Sequence, residues 1–256
     1  MASFSVFNFN IAHGRNKKSA VFPPSVGREE VQHNLENIAA CIREHDSDIV
    51  TLQEVDECSI LSGSFNQFDF LKEKLQYPYS YFAPSCEITL FGKPLFVSGN
   101  GILSRFPLEN CAAYKFNVSF PTERQGFVIA DAKLPDGKIL SIASVHIVWI
   151  DWTRPHSRAR QLEYLRDVIG SRNGSRVIAG DFNADFLGKE ISLKPFVDAL
   201  DLQAYREESR EMDTYTSWDP YERTDWVLVS KDLAFTSYAT LPDRLSDHLA
   251  VVTMLA

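Results

Sequence analysis

Long apolar runs are missing from this chain of 256 residues. No segment approaches the roughly 18 consecutive apolar residues that a membrane-spanning helix needs. The first residues also lack the basic stretch and long apolar run of a secretory signal peptide. We therefore expect a cytoplasmic protein, although a mature secreted form without its signal would look the same. Internal repeats, low-complexity stretches and linker-like segments are absent too, which favours one domain over residues 1–256.

Cysteine and positive charge are also scarce. The four cysteines form no CxxC pair and have no zinc-ligand spacing, so we expect reduced, partly buried thiols. The 26 Lys and Arg against 34 Asp and Glu give a net charge of -8, which argues against a dedicated, electrostatically driven nucleic-acid binder. An enzyme that meets nucleic acid through a local basic patch or a metal ion is still compatible with this charge.

What the sequence does contain is many strand-like segments and few helical ones. The predicted helices are Arg28–Glu44, Phe68–Leu75, Arg158–Ile169 and Pro195–Leu200. The predicted strands are Phe4–Asn10, Asp48–Glu54, Tyr79–Pro84, Ser98–Ser104, Gly126–Leu134, Lys138–Ile147, Val177–Gly180, Thr224–Ser230 and Leu249–Met254. Because helices are too rare for a regular βαβ series, we expect an α/β sandwich of two packed sheets with helices outside.

The segment Val177–Asn183, VIAGDFN, shows how a site could be built on such a sheet. A buried strand would end at Gly180, which places Asp181 and Asn183 just beyond it. Residues i and i+2 leave a strand on the same face, so both side chains could face one ligand. The alternative for this segment alone is an ordinary Asx turn.

Other strand-like runs are bounded by polar residues in the same way. Together with Asp181 and Asn183, the residues that bound such runs are Asn10, Glu54, His146, Asp225, Asp247 and His248. A rim with four carboxylates, two amides and two imidazoles is costly to assemble unless a cation or a proton transfer uses it. Hard oxygen donors without a thiolate suit Mg²⁺ or Mn²⁺, while the two histidines would also suit zinc. Such a site suits phosphoester hydrolysis by metal-assisted attack of water on phosphorus.

The chain also resembles the endonuclease/exonuclease/phosphatase superfamily, the group of deoxyribonuclease-like folds. The matching segments are FNFNIAHG around Asn10, DIVTLQEVD around Glu54, GNGILSRFPL at Gly99–Leu108, SVHI around His146, GDFN at Gly180–Asn183, RTDWVLVS at Arg223–Ser230 and SDHLAVV at Ser246–Val252. They follow the family's order and span nearly the whole chain. The resemblance implies a four-layer α/β/β/α sandwich, in which two mixed, mostly antiparallel sheets lie between helices.

The resemblance also implies a role for each matching residue. Asp181 would position and activate the attacking water, and Asn183 would donate to the phosphate. His248 would stabilise the transition state, held in orientation by Asp225. His146 would donate to the phosphate or protonate the leaving group.

For the cofactor, Mg²⁺ or Mn²⁺, the resemblance implies Glu54 as the principal ligand, with Asn10 and Asp247 nearby, directly or through water. Taken singly, each residue of the rim has a structural explanation as a turn, cap, core or solvated residue. A protein that kept the fold as a catalytically silent phosphate-binding or scaffolding module is therefore the alternative from another class.

The substrate is less sharply indicated. Enzymes that resemble exonuclease III typically place a tyrosine where this chain has His146, so that branch is disfavoured. In the segment after His146 we expect Trp152, Arg154 and Arg158 to form a substrate wall that stacks on the substrate and binds phosphate. Trp149 is expected to pack beneath the following helix instead. The sequence therefore predicts a metal-dependent phosphodiesterase acting on a small, lipid-derived or nucleic-acid phosphodiester, with a DNA or RNA nuclease as the specific alternative.

Overall fold

The computed structural model describes residues 3–16, 26–117, 124–149, 157–187 and 192–256. The helices in these ranges are α1 (Arg28–His45), α2 (Gln67–Leu75), α3 (Ser157–Gly170) and α4 (Lys194–Ala199). The strands are β1 (Phe4–Asn10), β2 (Ile49–Ser59), β3 (Tyr79–Leu90), β4 (Lys93–Ser104), β5 (Leu108–Lys115), β6 (Gly126–Lys133), β7 (Ile139–His146), β8 (Ser175–Asp181), β9 (Leu202–Ala204), β10 (Asp225–Ser230), β11 (Phe235–Thr240) and β12 (Val251–Leu255). None of the described helices is long and apolar enough to cross a membrane.

The strands form two six-stranded sheets with similar designs. The first sheet has the order β11-β12-β1-β2-β4-β3, and the second has the order β5-β6-β7-β8-β10-β9. Each sheet has a parallel pair at its centre, β1 with β2 and β7 with β8, while the remaining pairs are antiparallel. The carboxyl ends of both parallel pairs are therefore the natural place for residues of one site.

Successive side chains along each strand point to opposite faces of the sheet, so the apolar side chains form three core layers, one outside each sheet and one between the two sheets. Phe7 and Phe9 of β1 pack outward against α1 and α2, whereas Phe4 and Val6 pack in the cluster between the sheets. In the second sheet, Trp226 and Leu228 of β10 pack with α3 and α4 in the other outer cluster. Two helical layers thus enclose two sheets, which confirms the predicted four-layer sandwich and its mixed, mostly antiparallel sheets.

The main difference from the predicted elements is the segment between Pro84 and Ser98. It was predicted to be a loop, but it continues β3 and β4 into one long hairpin that turns at Phe91 and Gly92. Three strands, β5, β9 and β11, were not predicted. β5 and β11 expose many side chains, and β9 has only three residues, so their hydrophobic patterns are weak.

Candidate active site

The predicted polar residues meet where the central strands of the two sheets end. Asn10 follows Asn8 on the face of β1 that points at the other sheet, and His146 follows Ser144 in the same way on β7. Asp181 lies beside His146 in the parallel pairing of β7 with β8 and opposite Asp225 in the antiparallel pairing with β10. Asn10, His146 and Asp181 end their strands and Asp225 begins β10, so the sheet geometry itself brings the four residues to the same edge.

Glu54 reaches this rim through an irregularity in β2. The pairing of β2 with β4 shifts register between Leu52 and Val55, so Gln53 and Glu54 form a β-bulge. Glu54 has a φ of 52°, a left-handed conformation that non-glycine residues rarely adopt. Bulges re-aim side chains beside functional sites. Here the bulge places the Glu54 carboxylate next to Asn10, whose Nδ2 lies 3.1 Å from Glu54 Oε1.

Asp181 lies at the centre of the cluster. Its Oδ2 accepts a hydrogen bond from Asn10 Nδ2 at 3.0 Å. The Nε2 atoms of His146 and His248 each lie 3.6 Å from the same oxygen. His146 Nε2 is also 3.7 Å from Glu54 Oε1. Two imidazoles and two carboxylates therefore face one small volume between the sheets.

His248 is held in place by a buried carboxylate. Its Nδ1 lies 2.7 Å from Asp225 Oδ2. The same oxygen accepts hydrogen bonds from the hydroxyls of Thr214, at 2.7 Å, and Thr224, at 3.0 Å. With Nδ1 bound to Asp225, the ring is fixed with its Nε2 directed at Asp181.

The GDFN turn is shaped by two unusual backbone positions. Gly180 runs so close to β7 that a Cβ there would lie 2.0 Å from the Val145 carbonyl oxygen. Asn183 has a left-handed φ of 46°, which asparagine tolerates, and its N–H donates to Asp181 Oδ1 at 3.0 Å. Its side-chain Nδ2 donates to the carbonyl of Ile147 at 2.9 Å. Asn183 is thereby fixed beside Asp181.

Asp247 and Asn10 were both predicted to lie near a metal. Asp247 is half-buried beside His248, and its Oδ1 accepts from Ser246 Oγ at 3.2 Å. Asn10 directs its Nδ2 toward Glu54 and Asp181, while its Oδ1 accepts from the backbone N–H of Ala12 at 3.0 Å. In this orientation Asn10 serves as a hydrogen-bond donor to the two carboxylates.

Burial shifts the pKa values of Asp181 and His146 in opposite directions. Burial raises the pKa of Asp181 to about 8, and the neighbouring Asp225 adds to the rise although His248 opposes it. Burial lowers the pKa of His146 to about 4, although Glu54 favours the charged ring. At neutral pH, His146 is thus a neutral imidazole and Asp181 a carboxyl group poised to exchange a proton.

Charge pairing dominates at other positions. Burial disfavours a charged His248, but Asp225 and Asp181 outweigh it and hold its pKa well above the usual value. Burial likewise disfavours a charged Glu54, but the nearby imidazoles, His13 first, lower its pKa. Burial raises the pKa of Asp247, despite the attraction of His248. The site therefore combines a cationic His248 and an ionised Glu54 with two carboxyl groups, Asp181 and Asp247, whose pKa values are raised.

The donor set fits a hard divalent cation. One oxygen each of Asp181 and Asp225 and one ring nitrogen of His248 lie within 4.8 Å of one another, so polar atoms are concentrated at this end of the sheets. Asp225 Oδ1 is buried and has no hydrogen-bond partner among the described residues, so an acceptor is left over. Glu54 and Asp247 add further carboxylates nearby. A cation would offset the repulsion among these carboxylates, and their oxygen atoms suit Mg²⁺.

The predicted substrate wall is only partly described. Trp152 and Arg154 lie outside the described residues. Arg158 Nη1 donates to the backbone carbonyl of Asn183 at 2.8 Å, so it braces the turn that carries Asn183. Trp149 is 45% exposed, so the expectation that it packs beneath the following helix was wrong.

The sequence reasoning missed two buried residues of the site, His13 and Asp56. His13 Nε2 lies 3.1 Å from Glu54 Oε2, and its Nδ1 lies 2.7 Å from Asp56 Oδ1. Burial opposes a charge on His13, but Asp56 and Glu54 raise its pKa well above the usual value. Both residues stand just beyond strand-end residues that were predicted, three after Asn10 and two after Glu54. Closeness in sequence to Asn10 and Glu54 was therefore the feature that could have indicated that His13 and Asp56 belong to the site.

With this geometry established, the comparisons with known proteins identify the class. The sequence model described as Endonuclease/Exonuclease/phosphatase family matches residues 8–248. The chain belongs to this family, whose members are typically metal-dependent phosphoesterases. Comparison with curated proteins gives no match.

Solved structures show the same fold at low sequence identity. An endonuclease/exonuclease/phosphatase from Beutenbergia cavernae DSM 12333 superimposes with a TM-score of 0.78 at 19% identity, covering 99% of this chain and 71% of that one. The mannosyl-6-phosphatase of Bacteroides thetaiotaomicron VPI-5482 gives a TM-score of 0.70 at 18% identity and covers 99% of both chains. D. rerio TDP2, complexed with a single-strand DNA product, gives 0.70 at 13% identity and 100% coverage of both.

Proposed function

We propose that this protein is a divalent-metal-dependent hydrolase that cleaves a phosphodiester by attack of water on phosphorus. The observation that carries the proposal is the convergence of His146 Nε2 and His248 Nε2 on Asp181 Oδ2, each at 3.6 Å. A carboxylate that can accept a proton thus lies between two groups that can donate to phosphoryl oxygens. In a chain of this family, that arrangement supports catalysis rather than simple phosphate binding.

In the proposed reaction, Asp181 orients the attacking water and accepts its proton. A pKa raised by burial to about 8 supports this role, since a general base works best when its pKa lies near the operating pH. His248 donates from Nε2 to a phosphoryl oxygen as negative charge develops there. Asp225 keeps His248 protonated and correctly oriented through the 2.7 Å contact at Nδ1.

His146 and Asn183 complete the donor set around the phosphate. Because His146 is neutral above about pH 4, it serves as a hydrogen-bond donor through Nε2 rather than as the source of a proton for the leaving group. Asn183 donates through its amide, which the contact with the Ile147 carbonyl orients.

Glu54 and Asp247, with Asp181 nearby, are the residues that we propose hold Mg²⁺ or Mn²⁺. Asn10 orients Glu54 and Asp181 by donating to both carboxylates. When bound, the cation supplies charge neutralisation of the phosphate and stabilisation of the leaving oxygen.

A sharp test compares a chromogenic phosphodiester with its monoester, in Mg²⁺, in Mn²⁺ and in chelator. Wild type should turn over the diester faster, only with metal, and Asp181→Asn should lose turnover by about 10²–10⁴-fold. Asp136→Asn, in the exposed turn between β6 and β7, is the matched control and should keep wild-type rates. Far-UV circular dichroism and thermal unfolding verify that each variant is folded.

Each other outcome has a defined meaning. Faster turnover of the monoester would replace the proposed diester preference with phosphomonoesterase activity. If the diester is turned over faster, a panel of single-stranded DNA, RNA and lipid phosphodiesters identifies the substrate class. Absence of metal-dependent turnover on all of these substrates, by a folded protein that still binds phosphate, would refute the proposal in favour of a silent phosphate-binding module.

A further inference from the structure

A buried network behind Glu54 is not used by the proposed mechanism. His13 lies in the turn that follows β1, and its side chain is only 9% exposed. It contacts carboxylates on both sides, with Nε2 3.1 Å from Glu54 Oε2 and Nδ1 2.7 Å from Asp56 Oδ1. The edge of its ring packs against Phe96, with the centroids 5.4 Å apart. These contacts fix the imidazole in one orientation.

Asp56, the partner of His13 on the side away from Glu54, is itself held by hydrogen bonds. Asp56 is fully buried, and its Oδ2 accepts from Ser62 Oγ at 2.5 Å. The backbone N–H of Asp56 donates to Gln67 Oε1 at 3.1 Å, and Gln67 Nε2 donates back to the His13 carbonyl at 2.8 Å. The chain of contacts therefore closes on itself, running from His13 through Asp56 and Gln67 back to His13. Buried polar networks satisfied in this way hold their members rigidly.

Glu54 needs such support more than an ordinary strand residue does. Its backbone is in the bulge, with a φ of 52°, and its side chain is 21% exposed. A glutamate side chain has several rotatable bonds, so the strand alone does not determine which oxygen faces the site. In the structure, Oε2 faces His13 and Oε1 faces Asn10 and His146.

We propose that His13, held by Asp56, is the positioning residue of Glu54, engaging Oε2 so that Oε1 is presented to the divalent cation. This inference rests on the proposed function, because it concerns the same cation site. Partners behind a metal-binding group typically change metal affinity by 10–100-fold when they are removed. A purely structural histidine would instead change the stability of the fold and leave the metal affinity of the folded protein unaltered.

The two ring nitrogens allow a matched pair of substitutions. In His13→Asn the amide nitrogen takes the approximate place of Nδ1, so the contact with Asp56 is kept and that with Glu54 is lost. In His13→Gln the longer side chain carries its amide nitrogen to the approximate place of Nε2, so a donor to Glu54 is kept. The control is His33→Asn, on the exposed surface of α1.

The test is calorimetric titration of Mn²⁺ and Mg²⁺ into metal-free protein, with unfolding curves to verify folding. His13→Asn should weaken binding 10–100-fold. His13→Gln should recover most of that loss, and His33→Asn should match wild type. Asp56→Asn, which keeps the size of the side chain, should weaken binding in the same direction and replaces His13→Asn if the latter fails to fold.

Glu54→Gln separates failure of this inference from failure of the proposed function. If Glu54→Gln weakens metal binding but folded His13→Asn and Asp56→Asn both bind like wild type, the positioning role of His13 is refuted and the metal site stands. If Glu54→Gln binds metal like wild type, the proposed metal site and the inference both fall.

Discussion

At the scale of single residues, Asp225 and His248 form a buried pair in which each side chain is the hydrogen-bond partner of the other. Asp225 is completely buried, where a carboxylate is costly unless it is paired. His248 is buried as well, yet its pKa is held well above the usual value by Asp225 and Asp181. The Asp225 carboxylate thus favours the charged form of His248, and the Thr214 hydroxyl donates to the same carboxylate oxygen.

Replacing Asp225 by Asn should remove the charge that keeps His248 protonated. The pKa of His248 then falls, so the alkaline limb of the rate profile should move to lower pH. Turnover should also fall by about 10²–10³-fold, as for loss of one transition-state donor. Rate profiles against pH, together with NMR titration of the histidine resonances, measure both effects. An alkaline limb that does not move would show that His248 is not the titrating group; Asp136→Asn provides the unchanged reference.

At the scale of elements, the spacing between β7 and β8 decides whether the site can form. These strands run parallel, and Gly180 faces the backbone of Val145 with no room for a methyl group. The same pairing carries His146 and Asp181 side by side one residue further on. The glycine of GDFN is therefore a requirement of strand packing as well as of the turn.

Gly180→Ala should force the two strands apart or twist them. We expect a loss of about 1–3 kcal/mol in the free energy of unfolding, typical of overpacking, and a drop in turnover in the folded fraction. Gly27→Ala, at a glycine with no atom within 4 Å of an added Cβ, is the control. Urea unfolding measures the difference. Equal stability of the two variants would contradict the close approach.

A second element-scale feature is the polar row directly beneath the site. Gln53 Nε2 donates to Asn8 Oδ1 at 3.0 Å and to Ser144 Oγ at 2.9 Å, and Ser144 Oγ donates to the Leu52 carbonyl at 3.0 Å. These bonds join the two sheets directly beneath the site. They hold the rows that end in Asn10 and His146 at a fixed separation.

Ser144→Ala should remove one of the two hydrogen bonds that Gln53 Nε2 donates and the side-chain hydrogen bond that the Leu52 carbonyl accepts. The expected cost is about 1–3 kcal/mol of unfolding free energy, compared with a change within about 0.5 kcal/mol for the exposed Ser237→Ala. A double-mutant cycle with Gln53→Met isolates the bond between the sheets. Purely additive losses in that cycle would refute the coupling.

At the scale of the whole molecule, the site makes stability depend on pH in an unusual direction. Between about pH 6.5 and 8, the folded protein retains protons on His13 and His248, because their pKa values are raised above the reference of about 6.5. Asp181, with a pKa of about 8, also retains a proton that the unfolded chain releases near pH 4. All three groups therefore bind more protons in the folded state, so stability falls as pH rises through this window.

Below this window the balance changes. His146, with a pKa of about 4, is neutral in the folded state while the unfolded chain binds a proton below about pH 6.5. Its contribution rises with pH between about 4 and 6.5 and opposes that of Asp181. We therefore expect a weak dependence of stability on pH between about 4 and 6.5 and a decline above that range.

The measurement is urea unfolding of the protein at pH 6.5 and 8.5, with chelator and with Mg²⁺. In chelator the protein should be less stable at pH 8.5 by an amount on the order of a few kcal/mol. A bound cation should reduce the loss, because it stabilises the ionised carboxylates. Constant stability in chelator across these pH values would contradict the raised pKa values.

The sequence patterns alone predicted two packed sheets with helices outside and the residue types of the rim, and the resemblance of the motifs to the family implied the four-layer sandwich. Alternation in Phe4–Asn10, the run before Gly180 and the order of the motifs were sufficient, because strand periodicity is a local property. The same local logic failed at the hairpin of β3 and β4. Phe82 and Phe96 are packed, but Phe91 at the tip is 95% exposed, and composition does not distinguish these environments.

Only the tertiary structure decided how the rim residues face one another. The bulge that turns Glu54 toward Asn10, the buried partners His13 and Asp56, and the opposite pKa shifts of Asp181 and His146 depend on contacts between residues far apart in the chain. Desolvation and charge pairing act through space, so a residue's place in the sequence does not fix its protonation state. The physical reason is the separation in sequence of the residues that interact. Strand periodicity depends on a few neighbouring residues, whereas the protonation states and orientations in the site depend on contacts between strands of two different sheets.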